Sequence, residues 1–371
     1  MVEIVKGKKS EYEEILRFLE EAYGHSYNFF PEKYPQVWQK ENTDYENILL
    51  LKENGQILSL VRIFPLEVIQ DGVKTKIAGI GAVSTAFTHR GKGYMSKLLN
   101  KSFEKMKQDG YPLSILWGDR HRYINFGYEV AGRVIRLSLT ARGFEKKGVK
   151  EVNAKRYLGE KKLLKKFLKT QSKNNYRKIR TEKEFEEIFK KIGTSTYYYD
   201  DTENFSYVII EKNKVYEWGG DEKILLGILK YLKERFGITE FYMDFPSFET
   251  IPERIFEVAS SWLIKPSGMI KIIDLHKTLS LFKNKINSSF PEGFELTLKM
   301  GDESVILKKE KGNLSIEKGK GKNLIELSEP EMVRLIMGTF FWAPPEIDEK
   351  TVSILKTFLP FNIFISQLDH I

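Results

Sequence analysis

The sequence predicts a mixed α/β protein built from three successive units. In the first unit, residues 78–117 follow the order strand, glycine-rich turn, helix, strand. A looser version of this order recurs from Thr181, and short alternating strands followed by helices begin near Ser288. For a chain of 371 residues, we therefore expect domains at 1–141, 142–287 and 288–371.

The first unit should begin with a helix and an antiparallel meander. Apolar residues recur at helical spacing after Ser10, and Gly24 ends that helix. Asn54-Gly55 and Asp71-Gly72 predict tight turns between β-prone runs, so the meander should lead into a strand at 78–83. The aromatic segment 25–45 lies between the helix and the meander. It forms either a wall of a substrate site or loop packing over the sheet.

The turn that follows this strand has the properties of an anion site. Arg90 and Lys92 supply positive charge, and Gly91 and Gly93 allow the backbone to approach a bulky group. The next helix, at 94–109, would present its unpaired N–H groups to the same place. We expect a phosphate-bearing ligand across this turn. The alternative is a basic surface turn that binds nothing.

The order of elements over 78–128 resembles the GNAT N-acetyltransferase family. The cofactor signature of that family is R/Q-x-x-G-x-G/A, and residues Arg90 to Met95 fit it, with Met95 in place of the final small residue. Residues 82–84 and 123–128 are similar to the enhanced intracellular survival (Eis) branch. That resemblance implies tandem GNAT-like mixed-sheet domains, a sterol-carrier-protein-like α+β domain at the end, and a homo-oligomer.

The resemblance also implies an acetyl-CoA-dependent N-acetyltransferase. The acetyl group would pass directly to an amine of an aminoglycoside-like compound, a polyamine or a lysine side chain. Tyr123 would be the acid that protonates the departing thiolate, and the terminal carboxylate at Ile371 would be the base; Tyr123 could instead only pack. The residues expected to contact acetyl-CoA, as co-substrate, are Val83, Ser84, Thr85, Arg90, Gly91, Lys92, Gly93, Tyr94, Met95, Ser96, Gly118 and Asp119.

The second unit should lack a cofactor site. A lysine-rich connector with an amphipathic helix at 160–170 leads into helices and strands that repeat the order of the first unit. In the turn before the helix at 221–236, however, the acid Asp221 occupies the position where an anion site would need Arg or Lys. We expect this unit to be a degenerate GNAT-like domain.

The third unit is predicted to contain three strands, at 294–300, 304–309 and 314–317, and two helices, at 328–337 and 351–358. The final segment, 358–365, is strongly apolar, although chain ends are usually polar. It predicts a docked strand.

Composition excludes several classes of protein. The chain has no cysteine, which rules out disulfides, thiol catalysis and cysteine-based metal sites, and its five histidines show no metal-binding spacing, so no metal is expected. The net charge of +9 comes from 60 basic and 51 acidic residues that are interleaved, so nucleic-acid binding is not favoured. Residues 1–9 lack a signal core, and no run is long enough to span a membrane. We expect a cytoplasmic protein.

Two other functions stay open. One is a non-catalytic protein that binds a lipid or CoA, which the absence of CoA release with any amine would favour. The other is transfer of an aminoacyl group from tRNA, which the basic connector allows and which steeply salt-dependent tRNA binding would favour.

Overall fold

The computed structural model describes residues 2–370, which form three mixed sheets of eight, seven and four strands. Each sheet combines antiparallel pairs with one parallel pair. The predicted mixed α/β class with tandem sheets is therefore confirmed. The likeness of the last unit to a sterol carrier protein stays a prediction.

The elements up to residue 140 are β1 (Val2–Lys6), α1 (Tyr12–Tyr23), α2 (Phe29–Lys33), α3 (Pro35–Trp38), β2 (Ile48–Glu53), β3 (Gln56–Gln70), β4 (Val73–Thr85), α4 (Tyr94–Gln108), β5 (Leu113–Leu116), α5 (Arg120–Tyr123), β6 (Glu129–Ala131) and β7 (Val134–Thr140).

The middle of the chain contains α6 (Ala141–Lys146), β8 (Lys155–Arg156), α7 (Leu164–Gln171), β9 (Arg177–Lys178), α8 (Glu182–Ile188), β10 (Ser195–Asp200), β11 (Phe205–Glu211), β12 (Lys214–Gly219), α9 (Glu222–Phe236), β13 (Glu240–Phe245), α10 (Glu253–Val258), β14 (Ala259–Lys265) and β15 (Gly268–Ile272).

The last part of the chain contains α11 (Leu275–Leu281), α12 (Lys283–Ser289), β16 (Glu295–Met300), β17 (Glu303–Glu310), β18 (Asn313–Lys318), β19 (Leu324–Leu327), α13 (Glu329–Met337) and α14 (Glu349–Lys356).

The first two sheets exchange strands. The order of the first sheet is β1-β2-β3-β4-β5-β15-β6, so β15 fills the place between β5 and β6. The order of the second sheet is β14-β7-β13-β12-β11-β10-β8. Its strand β7 follows β6 directly in the chain, although β6 belongs to the first sheet. Each sheet depends on a strand from the other part of the chain. The two sheets thus share strands across the predicted boundary at residue 141. The division of the chain at 141 and 287 stays a prediction.

The predicted meander is present, with one difference. β3 is a single strand of 15 residues that continues through Pro65 and pairs with β2 at one end and β4 along its length. At Pro65 only β4 pairs with this strand, because β2 pairs no further than Arg62 and β9 pairs only at Val68 and Ile69; a proline is tolerated where one side of a strand has no neighbour. The two faces of this sheet bury separate apolar clusters, one under α4 and one under α1 to α3.

The tail after α14 is docked, as predicted, but the prediction of a strand was wrong. Ile363 and Ile365 are buried, yet the segment is irregular up to a short 3₁₀ turn at Gln367–Asp369. Side-chain amides take the place of a neighbouring strand. Gln70 exchanges two hydrogen bonds with the backbone of Phe364, and the Asn362 amide accepts from the N–H of residue 133 and donates to its carbonyl.

A buried ion pair fixes the end of the tail. Two nitrogens of Arg180 donate to the Asp369 carboxylate, at 3.2 and 2.5 Å, and a third donates to Glu217 of β12 at 2.9 Å. Burial alone would lower the pKa of Arg180, but Asp369 and Glu217 outweigh it and raise this pKa. The side chains of Arg180 and Asp369 are almost completely inaccessible to solvent.

Replacing one member of this pair should destabilise the fold. We expect Asp369→Asn to lower the free energy of unfolding by about 3 kcal/mol, because it leaves part of the Arg180 charge buried without its partner. Urea titration followed by circular dichroism measures this. Asp302→Asn, at an exposed position, is the matched control. Equal stability of the two variants would contradict the assigned role of the ion pair.

Candidate active site

The end of β4 is bent by a β-bulge. Leu60 of β3 pairs with Ser84 and Arg62 pairs with Gly81, so one residue of β3 faces two residues of β4. Within the bulge, Ala82 has a φ of 53°, in the left-handed region. Such a bulge redirects backbone groups away from the ladder. The structure therefore breaks the regular strand at the place where residues 83–85 are expected to meet a ligand.

β4 and β5 diverge beside this bulge. They pair in parallel only at Ala78 with Ser114 and at Gly79 with Ile115. Beyond that point β5 no longer pairs with β4, and the carbonyl of Val83 accepts from the Tyr23 hydroxyl instead, at 3.1 Å. On the β5 side, the indole Nε1 of Trp117 donates to the carbonyl of Ser267 at 2.8 Å. The two strands thus form the walls of a slot that opens towards the turn 88–93.

The turn itself has the geometry expected of an anion site. Gly91 and Gly93 have φ values of 80° and 74°, and a Cβ added at either would meet no atom within 4 Å. α4 starts directly after Gly93, and within residues 2–370 no side chain caps this start. Its first N–H groups therefore remain available to an anion.

The corresponding turn of the second unit is already filled. The Asp221 carboxylate accepts hydrogen bonds from the backbone N–H groups of Lys223 and Ile224, at 2.8 and 3.1 Å. It therefore occupies the place that a ligand anion would take at the start of α9. That the second unit lacks a cofactor site stays a prediction.

Arg90 lies at the mouth of the slot. Its guanidinium is within 3.5 Å of the carbonyl of Thr85 and 3.4 Å of the carbonyl of Ala22, at the ends of β4 and α1. Both contacts are long and weak, and the side chain is exposed. Within residues 2–370, it has no carboxylate partner. Its charge is therefore available to a ligand.

These elements enclose a cavity of about 540 Å³. All the residues predicted to contact acetyl-CoA line it, except Lys92, Gly118 and Asp119. Lys92 is an exposed residue of the turn, and Asp119 instead accepts from the N–H of Arg122 and caps α5. The sequence did not indicate four further lining residues, which tertiary packing brings to the site: Ala22, Tyr23, His89 and Arg122.

Tyr123 is the last residue of α5 and does not itself line the cavity, although the preceding residue, Arg122, does. Burial raises its pKa, so the phenol stays protonated over the neutral range. Tyr23, a cavity residue that is 46% exposed, donates from its hydroxyl to the carbonyl of Val83 at 3.1 Å. A Cβ added to Gly118 would lie 2.5 Å from the Tyr123 ring, which fits only against glycine. Tyr128, in contrast, is fully buried with its hydroxyl 2.6 Å from that of Ser114, a structural position.

α5 is held in place by a buried carboxylate. Arg120 donates two hydrogen bonds of 2.6 Å to Glu129, and Arg334 of α13 donates a third at 3.0 Å. The Glu129 side chain is 1% exposed. The helix that carries Tyr123 is thus tied to the last unit of the chain.

The tail ends beside the open slot. The His370 imidazole stacks on Trp117 with 3.8 Å between the ring centres. Burial lowers the pKa of His370 to about 4, so its ring is neutral at neutral pH. Ile371, predicted to supply the base, lies outside the described residues, and its role stays a prediction.

The aromatic segment 25–45 packs over the first sheet. Phe30 and Trp38 are buried in the cluster beneath α1 to α3. The fully buried Arg62 lies between Trp38 and Phe64, 4.3 and 4.5 Å from their ring centres, and donates to the carbonyl of Val37. Of the two interpretations offered by the sequence, this geometry favours loop packing.

Two classes of site have no counterpart in the described chain. Between residues 2 and 370, no group of three or more His, Cys, Asp or Glu side chains could hold a metal ion. Among the helices in that range, none has the length and apolarity that crossing a membrane requires.

Comparisons with known proteins agree with this geometry. Residues 3–131 match the family model described as an acetyltransferase (GNAT) domain, which includes the bulged strand, the turn and α5. No curated protein sequence matches the chain.

Solved structures extend the likeness to the whole chain. GCN5-related N-acetyltransferases from Anabaena variabilis and Kribbella flavida have TM-scores of 0.72 and 0.71, each at 15% identity over 100% of both chains. Eis1 from Mycobacterium abscessus has a TM-score of 0.69 at 9% identity, again over 100% of both chains. At such identities the likeness shows a shared fold. With the domain match, the prediction of an acetyltransferase is confirmed, whereas the Eis branch stays a prediction.

Proposed function

We propose that this chain, whose residues 3–131 match an acetyltransferase domain, transfers the acetyl group of acetyl-CoA directly to an amine. The observation that carries the proposal is the turn 90–93. It combines an uncapped helix start, two glycines with open space above them and an unpaired arginine, beside the bulged end of β4. This set of groups suits a diphosphate, and Tyr123 directly follows Arg122, which lines the same cavity.

The residues of the cavity fit the parts of acetyl-CoA. The N–H groups from Gly91 to Ser96 and the side chains of Arg90 and Lys92 would hold the diphosphate. The backbone of residues 83–85, where Tyr23 donates to the Val83 carbonyl, would hydrogen-bond to the pantetheine arm. The bound thioester supplies an activated acetyl group. The fit to the diphosphate rests on Arg90, Gly91 and residues 93–96, because Lys92, Gly118 and Asp119 do not line the cavity.

Removing the two cations of the turn should weaken binding. We expect Arg90→Ala with Lys92→Ala to reduce the affinity for acetyl-CoA at least about tenfold, because charge-assisted hydrogen bonds to the diphosphate are lost. Isothermal titration measures the dissociation constant. Lys101→Ala, an exposed position on α4 that pairs with Glu104, is the control. Unchanged affinity in the double variant would contradict the placement of the diphosphate at this turn.

The chemistry requires two proton transfers. As the carbon–nitrogen bond forms and the carbon–sulfur bond breaks, the sulfur must gain a proton, and we propose that Tyr123 donates it. Its raised pKa and its place beside the cavity support this role. The amine must lose a proton, since only about one alkyl amine in a thousand is in its neutral form at pH 7. For this step the proposal retains the carboxylate predicted at Ile371.

Removing the Tyr123 hydroxyl should affect turnover alone. We expect Tyr123→Phe to lower kcat about a hundredfold, the usual loss when a general acid is removed, with acetyl-CoA affinity unchanged because the ring still packs on Gly118. The rate at which free thiol is released measures turnover. The control is Tyr111→Phe, which removes a buried hydroxyl of the same apolar cluster. If Tyr123→Phe turns over like the wild type, Tyr123 is not the acid.

The acceptor is proposed to be an amine that enters between β4 and β5, near Trp117. A panel of an aminoglycoside, spermine and a lysine peptide, with CoA release as the readout, tests this class directly. An absence of release with every amine would favour a binding protein instead.

We also propose that a second copy of the chain covers β14. This strand is at the edge of the second sheet, and Trp262, Leu263 and Ile264 on it are 52, 51 and 37% exposed. Phe248 and Phe256 extend the apolar surface, with ring centres 6.3 and 5.1 Å from that of Trp262. Between its ends the strand carries no charge that would prevent edge pairing, so two copies could align antiparallel about a twofold axis.

A charge on this edge should separate the copies. We expect the wild type to sediment as an oligomer and Trp262→Arg to sediment as a smaller species. Phe340→Arg, at another exposed apolar residue, should leave the oligomer unchanged. A monomeric wild type at micromolar concentration would contradict the proposed contact.

A further inference from the structure

A second cavity, of about 370 Å³, lies in the second unit and plays no part in the proposed reaction. Three segments form its walls: the loop 147–152 after α6, the first turns of α9, and α10. None of its lining residues lines the acetyl-CoA cavity.

The floor of this cavity is apolar. Leu226 and Val258 are buried beneath it, at 4 and 2% exposure, and Val149, Val152 and Ile224 are half-buried around them. Side chains of this kind favour a hydrocarbon chain over water.

The rim of the cavity is cationic. Four cations and one carboxylate line it, which leaves a net charge of +3: Lys147, Lys150, Lys223, Arg254 and Glu257. Lys147 is 3.4 Å from Glu257. Within residues 2–370, Lys150, Lys223 and Arg254 have no carboxylate partner. The electrostatic preference is therefore for an anion.

The walls are held rigidly by close backbone approaches. At Gly227 of α9, an added Cβ would lie 2.7 Å from Val152 and 2.9 Å from the carbonyl of Lys150, so the loop rests directly on the helix. Lys230 of α9 donates to the carbonyl of Val149 at 2.7 Å. At Gly143 of α6, an added Cβ would collide with the carbonyl of Val258, so α10 rests directly on α6. The cavity is thus preformed.

The start of α9 does not contribute to anion binding, because Asp221 already accepts from its N–H groups. An anion here would be held by the side chains of the rim. We infer that this cavity binds an amphipathic anion, with its carboxylate or phosphate at Lys150, Lys223 and Arg254 and its hydrocarbon chain on the apolar floor. Such a ligand is chemically distinct from the amine acceptor and binds away from acetyl-CoA.

Isothermal titration of the full chain with decanoate, below its micelle concentration, tests the inference. We expect saturable binding of one molecule per chain. Lys223→Glu with Arg254→Glu should weaken it at least about tenfold, because two of the three charges that face the ligand head are reversed. These side chains are exposed, so the fold should tolerate the change. Lys165→Glu with Lys320→Glu, at exposed positions away from the cavity, is the matched control.

Two further probes define the ligand. Decanol should bind more weakly than decanoate, because it lacks the charge, and saturating acetyl-CoA should not displace decanoate. Vesicles of phosphatidylcholine with phosphatidylglycerol distinguish a bilayer from a single amphiphile. Vesicle binding without decanoate binding would replace the cavity ligand with a lipid surface. An absence of saturable decanoate binding, or equal affinity in the charge-reversed variant, would overturn the inference.

Discussion

The buried pair of Arg180 and Asp369 is the interaction on which the arrangement of the chain depends. Arg180 follows β9, which adds to the first sheet, whereas Glu217 belongs to the second sheet and Asp369 to the tail. Burying a guanidinium is costly unless carboxylates accept its hydrogen bonds. Because these carboxylates come from distant parts of the sequence, the low-energy state requires all three parts in one relative position. That position places His370 against Trp117.

The exchange of β7 and β15 adds a second constraint of the same kind. Neither large sheet is complete without a strand from the other part of the chain, so the two units cannot separate without losing backbone hydrogen bonds. This coupling suits a division of roles. The first unit keeps the open turn before α4, whereas the second has closed its own turn with Asp221 and instead holds the tail through Glu217. The second unit also contains a separate cationic cavity, lined by the loop 147–152, α9 and α10.

Local sequence signals indicated the conformation of the turn before α4, but they did not indicate the bulge in the strand before it. Gly91 and Gly93 adopt positive φ, which glycine allows at little cost, so sequence and structure agree there. Ala82 adopts positive φ as well, although alanine gives no sign of it, because pairing with β3 on both sides of the bulge imposes that conformation. The tail shows the same contrast: its apolar residues indicated burial, but the amides of Gln70 and Asn362 decided that it would not be a strand.

The sequence did not indicate β1, α10, β14 or β19. By itself it determined the strand and helix on either side of the basic glycine turn, the acid that closes the second turn, and the burial of the tail. These depend on short-range properties: apolar periodicity, glycine conformation and the charge of single residues. The tertiary structure alone decided which strand lies beside which, and it brought Ala22, Tyr23 and Arg122 to the cavity wall and His370 to Trp117. Those contacts join residues far apart in the chain. They form because buried polar groups must find partners and because sheets must be completed, conditions that only the folded chain as a whole can satisfy.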